Sequence, residues 1–237
     1  MLRTLILTLT ALLCTHAVHG RTFVVCAGIS DYPGTFNDLH VSDNDARTLH
    51  RIFQKNGASC TTLVNNDVTV QRLLAALQVS FMQASSKDII IFFFSGHGYP
   101  GGLCLYDTRL AYENIFDIMR KSHAGSKIII TDACFAGKMR KNESRPQMTS
   151  PRNIMLFLSS RSAEKSIEGP HRNSLFTLHL ERALRGGADI NRDRVITASE
   201  LFSYVHQRVV RASGGRQHPV MWGNFNKNMP VIKWHEK

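Results

Sequence analysis

The sequence predicts an α/β domain: a three-layer sandwich with a mainly parallel six-stranded sheet and helices on both faces. Three observations predict it. Short unbroken runs of Ile, Val and Phe recur, as at 22–30, 88–95, 127–133 and 153–160. Strands that are apolar on both sides are those buried between two helical layers. Amphipathic stretches, with apolar residues three and four apart, separate these runs. The 237 residues suit one generous domain, and no linker long enough to set off a second one interrupts the alternation.

The opening segment stands apart from this pattern. "MLRTLILTLTALLCTHAVHG" has Arg3 near its start, an apolar stretch from Leu5 to Cys14, and then small residues. That is the layout of a secretory signal peptide. The stretch is well short of the roughly 20 residues a spanning helix needs. Residues 1–20 are therefore read as a signal peptide cleaved after Ala17 or Gly20, and 21–237 as the domain. The expected destination is the periplasm or the exterior, without stable membrane insertion.

The elements then follow in order. "TFVVCAGIS" (22–30) is a buried strand. Residues 42–57 form a helix, with Ser42 or Asp43 as N-cap and Gly57 as its stop. Ala46, Leu49, Ile52 and Phe53 share one face of it. "SCTTLVN" (59–65) is the next strand, and Val70, Leu73, Leu74, Leu77 and Phe81 make a second helical stripe. "DIIIFFFS" (88–95) is a strand, "GLCLYDTRL" a hairpin beside the main sheet, and "YENIFDIMRKS" a helix. "KIIITDA" (127–133) and "NIMLFLSS" (153–160) are two more buried strands. Helices follow near 173–185 and 198–212, and "PVIKW" (230–234) closes the chain as a strand.

Composition narrows the function classes. With 43% hydrophobic and 20% charged residues the chain is neither disordered nor fibrous. A net charge of +11 raises nucleic acid as a partner. There is no zinc-finger spacing and no long basic helix, so none is expected. Of the five cysteines, Cys14 leaves with the signal, and Cys26 and Cys104 fall within apolar strands as small hydrophobes. No C-x-x-C pair offers a zinc site. Export permits disulfides, yet four scattered cysteines are no disulfide scaffold.

Two of the apolar runs stop on reactive side chains. "DIIIFFFSGHGYPGG" ends its run near His97, and "KIIITDACFAGK" ends its run at Cys134. In parallel sheets the working site lies at the carboxyl ends of the strands. Neighbouring strands would bring the two side chains to one edge. A cysteine attacks as thiolate, and a nearby histidine takes its proton and returns it to the leaving group. Gly96 and Gly98 flank His97 and let the backbone turn close to a substrate. The amides of Gly98 and Cys134 could donate to an oxyanion. Taken singly, a cysteine is usually packing and a histidine an ordinary core or surface residue.

"FFFSGHG" and "TDACFAG" resemble the two active-site blocks of caspase-like cysteine peptidases, the metacaspase-like and bacterial branch above all. The glycine after Ala133-Cys134 comes at Gly137, one place later than in caspases, a spacing the metacaspase-like branch tolerates. "LHVSDNDARTL", "SSRSAEKSIE", "GGADINRDRVITASEL" and "QHPVMWGNFNKNMPV" are softer resemblances, so the likeness spans about 22–234. It implies a His97–Cys134 dyad. It also implies that Asp45 and Asp132, with Ser95 beside them, bind a basic side chain before the scissile bond. Two partly buried carboxylates are comfortable with a cation between them. The plainer roles are that Asp45 serves the helix dipole and Asp132 caps a loop.

Two further stretches bear on function. "DINRDRVITASE" (189–200) places Asp189, Asn191, Asp193 and Glu200 at calcium-loop positions. Arg194 stands where that loop wants glycine, so a polar loop with a Thr197–Glu200 capping box is preferred and calcium is the alternative. "KMRKNESRPQMTSPR" (138–152) holds five basic residues and one acid, Glu143. An enzyme cutting after Arg or Lys would find sites there at Arg140 or Lys141, whereas Pro146 protects Arg145. The reading is thus an exported cysteine endopeptidase acting on proteins or peptides after Arg or Lys. The rivals are a catalytically silent caspase-like binding module and a flavodoxin-like ligand binder. Against the latter, "GISDYPGT" lacks the phosphate-loop spacing.

Overall fold

The computed structural model describes residues 20–133, 153–161, 166–168 and 172–234. Most of the expected leader, Cys134 and the 138–152 loop lie outside the described residues. In chain order the elements are β1 (Thr22–Gly28), α1 (Ser42–Lys55), β2 (Ser59–Val64), α2 (Val70–Phe81) and β3 (Ile89–Gly96). Next come the short β4 (Gly98–Tyr99), β5 (Gly102–Cys104) and β6 (Arg109–Ala111), then α3 (Tyr112–Lys121), β7 (Ser126–Ala133) and β8 (Ile154–Leu158). The chain ends with α4 (Leu175–Arg182), β9 (Val195–Thr197), α5 (Ala198–Ala212), β10 (Val220–Trp222) and β11 (Pro230–Lys233).

The central sheet has six strands in the order β10-β8-β7-β3-β1-β2. All its pairs are parallel except β10 with β8. The apolar strands are buried on both sides because successive side chains point to opposite faces. Phe92 and Phe94 of β3 join the core under α2 and α3. Ile91 and Phe93 join the core under α1, α4 and α5. Ser95 and Asp132 continue the second series, in register with each other. Alternation therefore places both polar residues on the α1/α4 face, at the strand ends.

The structure departs from the expected elements in three places. The sixth strand of the sheet is β10, which sequence periodicity passes over, while PVIKW forms β11 and pairs with β9 in a separate two-stranded sheet. With only three residues, β10 is too short to show a pattern. The N-cap of α1 is Val41, without a side-chain cap, rather than Ser42 or Asp43. The Glu168 carboxylate accepts from the His40 and Val41 amides at 2.9 and 3.3 Å, and Asp43 turns back to accept from the Ser30 hydroxyl at 2.8 Å. The Asp43 amide inside the first turn donates to the Ser30 hydroxyl at 3.0 Å, so a residue 13 positions upstream does the work expected of a local cap, and Glu168 anchors the residues just before the helix. Finally, α4 ends at Arg182 and passes into a wide turn over Ala183–Gly187.

Three expected local features are present: the Gly57 stop, the hairpin and the Thr197–Glu200 capping box. Gly57 stops α1 with φ +84°. "GLCLYDTRL" is the β5–β6 hairpin, which with β4 makes a small sheet of its own. Thr197 and Glu200 form the capping box of α5. Cys26 is fully buried, Cys104 only partly, and Cys26, Cys60 and Cys104 are all free thiols. Among the described residues no helix is long and apolar enough to cross a membrane.

Candidate active site

The site forms where β3 and β7 end. Gly96 stands opposite Ala133 in the parallel ladder, so both strands stop at one level. The next residue after β3 is His97. The next after β7 is Cys134, which lies outside the described residues.

The loop after β1 holds His97. Its Nε2 lies 2.8 Å from the carbonyl oxygen of Asn37. A carbonyl only accepts, so in the neutral ring Nε2 carries the hydrogen and Nδ1 is the basic nitrogen. The Tyr32 ring packs on the imidazole, with centroids 4.9 Å apart. The Tyr32 hydroxyl accepts from the His97 amide at 2.8 Å. Asp38 accepts from the Tyr32 amide at 3.0 Å and closes the loop on itself.

Beside His97 the two acids sit deep in a polar nest. Asp45 has no exposed surface and Asp132 only 3%, which rules out ordinary solvation of either charge. Asp45 accepts from the Ser95 hydroxyl at 2.8 Å, the Asn173 amide at 2.8 Å and the Ser174 backbone at 3.1 Å. Asp132 accepts from the hydroxyls of Ser166, Ser174 and Thr177. Ser174 therefore touches both acids, and its oxygen also caps α4 by accepting from Thr177 N at 3.1 Å. The positive end of α4 faces the Asp132 carboxylate through this cap.

No cation stands between the acids among the described residues; hydroxyls, amides and a helix terminus hold them instead. Burial, and then the neighbouring Asp132, push the Asp45 carboxyl up to about 8. Burial likewise raises Asp132, against the pull of its hydroxyl donors. Two like charges this buried favour keeping a proton between them.

A cleft of about 60 Å³ opens on this nest, lined by Ser95, His97, Asp132, Ser166, Glu168 and Ser174 among others. That is room for about four waters, so the opening is a small slot. Asp45 lies behind Ser95 and Ser174 rather than on the cleft wall. Of the residues singled out in the sequence, His97, Ser95, Asp45 and Asp132 converge here. Gly98 is next to His97, at the start of β4.

Several partners escape sequence reading: Tyr32, Asn37, Ser166, Glu168, Asn173, Ser174 and Thr177. So does Gln217, which is fully buried and donates to the Ser159 carbonyl at 2.9 Å and to Ser166 at 3.3 Å. Ser166, Glu168 and Gln217 do fall in two of the softer resembling stretches. Ser174 carries a local signal, a serine just before an apolar helix.

Away from the cleft, the 189–200 loop spends its carboxylates on its own turn. Asp189 accepts from Asp193 N, Arg194 N and the Trp234 indole, at 2.9–3.2 Å. Asp193 accepts from Val195 N at 2.8 Å and from the Asn191 side chain at 2.9 Å. Among the described residues no cluster of three or more His, Cys, Asp or Glu is placed to hold a metal ion.

The sheet order and the polar cleft at its carboxyl edge define a doubly covered α/β domain with a histidine and two buried acids at one site. The caspase domain family matches residues 21–230, and the chain belongs to that family, which is one of cysteine peptidases. No curated protein matches the sequence. Among solved structures, protein GSU0716 from Geobacter sulfurreducens is similar with a TM-score of 0.70 and 17% identity, over 91% of this chain and 100% of that one. Caspase-1 from Spodoptera frugiperda is similar with a TM-score of 0.70 and 17% identity, over 92% of each chain. Both likenesses bear on the fold, which is that of caspases.

Proposed function

We propose that the protein is an exported cysteine endopeptidase that cuts proteins or peptides after Arg or Lys. The observation that carries this reading is one cleft that holds a His97 ring with its basic Nδ1 defined and the Asp132 carboxylate, with a second buried carboxylate, Asp45, directly behind it, the two held mostly by hydroxyls. A hydroxyl donates to a carboxylate in the empty pocket and can turn to accept from an entering ammonium or guanidinium. Such a nest fits a basic side chain and rejects an acidic one. In the reaction, Cys134 loses its proton to His97 and its sulfur attacks the carbonyl carbon. His97 then gives the proton to the leaving amine, and water releases the acyl group by the same route. Asn37 keeps the proton on Nε2 throughout, so Nδ1 does the transfers.

The amides of Gly98 and Cys134 are the proposed oxyanion donors. Cys104 N donates to the His97 carbonyl at 2.9 Å, and Gly98 pairs with Leu103. In the alternation of an antiparallel ladder, this makes Gly98 a non-hydrogen-bonded position whose N–H turns away from β5. The 189–200 loop is read as structural, its carboxylates being engaged by its own turn and by the capping box, with calcium as the alternative.

A panel of fluorogenic peptides differing only in the residue before the bond tests the proposal. Arg and Lys peptides are cut, and the Asp peptide is not. Preference for Asp would remove the pocket assignment. Tight binding of Arg peptides without any turnover would support the silent binding module instead.

An enzyme of this specificity also meets its own 138–152 segment. We expect slow cleavage after Arg140 or Lys141, giving two fragments that stay associated, because β7 and β8 on either side are hydrogen-bonded neighbours in one sheet. Intact-mass spectrometry during incubation shows both fragments for the wild type and neither for Cys134→Ala. A wild type that stays whole while still turning over peptide would end this expectation.

A further inference from the structure

The contacts of Tyr32 go beyond packing. Cys104 N donates to the His97 carbonyl at 2.9 Å, which is one half of a narrow antiparallel pair. The other half would run from His97 N to the Cys104 carbonyl. The Tyr32 hydroxyl occupies that place. It accepts from His97 N at 2.8 Å and donates to Cys104 O at 3.2 Å. The hydroxyl is thus wedged into the ladder between His97 and β5, and it holds the two chains apart by its own width. The ring of the same residue backs the imidazole at 4.9 Å. Gly96 leaves the space: a Cβ there would lie 2.7 Å from the Tyr32 oxygen.

We propose that Tyr32 is a positioning residue for His97, setting the place and orientation of the imidazole through a hydroxyl inserted in the β4–β5 ladder. This rests on the reading of His97 as general base. The backbone of His97 is fixed by the wedge, one face of the ring by the phenol ring, and Nε2 by Asn37. Tyr32, Asn37 and Asp38 all belong to the loop after β1, so one loop sets the whole imidazole. Only 7% of Tyr32 is exposed, and burial raises its phenol further above the ordinary range, so the hydroxyl keeps the proton it donates to Cys104.

Tyr32→Phe keeps the ring and removes the wedge. His97 N and Cys104 O are then free to close on each other, drawing the imidazole away from the Asn37 carbonyl. The test joins NMR of protein labelled with 15N in the histidine rings to steady-state kinetics on an Arg peptide. In the wild type the His97 signals are those of a single Nε2–H tautomer. In Tyr32→Phe they become those of a tautomer mixture, and kcat falls about ten- to a hundredfold while KM stays within about twofold. Incorporating 3,5-difluorotyrosine at position 32 keeps shape and hydroxyl but weakens the acceptor, and moves the His97 signals part of the way. This second variant decides the matter should Tyr32→Phe fail to fold. Unchanged His97 signals in the variants, or a lost thermal midpoint with wild-type tautomer and kcat, overturn the proposal. The NMR arm reads the ring without turnover, so a failure of the peptidase reading is distinguishable from a failure of this one.

Discussion

Cys134→Ala and His97→Ala are each expected to abolish peptide cleavage, with kcat/KM for an Arg peptide falling about 10⁴-fold or more. Removing either member of a nucleophile–base pair leaves only binding and oxyanion donors, which is why the two losses are similar and the double variant is little worse. His97→Ala is expected to leave the fold intact. Among the described residues its ring makes one hydrogen bond, to Asn37 O, and one ring contact, to Tyr32. The two variants differ in a second readout. His97→Ala keeps the thiol, so a thiol-reactive Arg peptide still labels it, but more slowly at neutral pH because the base that makes the thiolate is gone. Cys134→Ala takes no label at that position. Turnover by Cys134→Ala equal to the wild type would falsify the assignment of the nucleophile.

On the proposed reading, Asp132→Asn and Asp45→Asn are each expected to lower kcat/KM for Arg and Lys peptides by about 10²–10³-fold, mainly through KM. Removing one partner of a buried charge pair costs about 3–5 kcal/mol, and each 1.4 kcal/mol is tenfold. The effect is larger at Asp132, which lines the cleft, than at Asp45, which acts from behind Ser95 and Ser174.

A pH dependence accompanies these changes. The Asp45 carboxyl is raised to about 8 by burial and by Asp132, so the empty pocket keeps a proton at neutral pH. If a cationic substrate side chain replaces that proton, as proposed, KM for Arg peptides is expected to fall as pH rises toward 8, with protons released to the buffer on binding. The stability effect has the opposite sign. The folded state binds more protons than the unfolded one between the ordinary carboxylate value, about 4, and 8, so this group's contribution is whole below pH 4 and is lost as pH rises through 8. Denaturant titrations at pH 5 and pH 8 show the wild type losing stability over that interval, and Asp45→Asn losing less. A KM independent of pH in the wild type, with Asn variants equal to it on Arg peptides, would mean that the acids do not meet the substrate.

The strands were legible because their chemistry is local. Runs such as Ile89–Phe94 and Lys127–Ile130 can be stable only between two helical layers, and a parallel sheet follows from that. His97 and the Asp132–Cys134 block stood out for the same reason, since each ends such a run. Ser95 and Asp132 came with them because a period of two places them on one face. The short β10 was not legible, since three residues carry no period, and its place at the sheet edge is set by pairing with β8.

The sequence by itself determined that this is a covered α/β domain resembling the caspase family, with His97 and the Asp132–Cys134 block each at the end of an apolar strand. It did so because strand alternation and apolar runs are properties of consecutive residues. The folded chain decided how the acids are held and how the imidazole is aimed. Asp45 and Asp132 are expected from sequence to await a cation; in the structure Ser166, Asn173, Ser174 and Thr177 hold them, reaching across 34 to 129 positions of sequence. Glu168 anchors the segment leading into α1 from 127 positions away or more, and Tyr32 meets His97 across 65. A hydroxyl or carboxylate satisfies whichever buried partner the packing brings within about 3 Å, and no spacing along the chain encodes that choice.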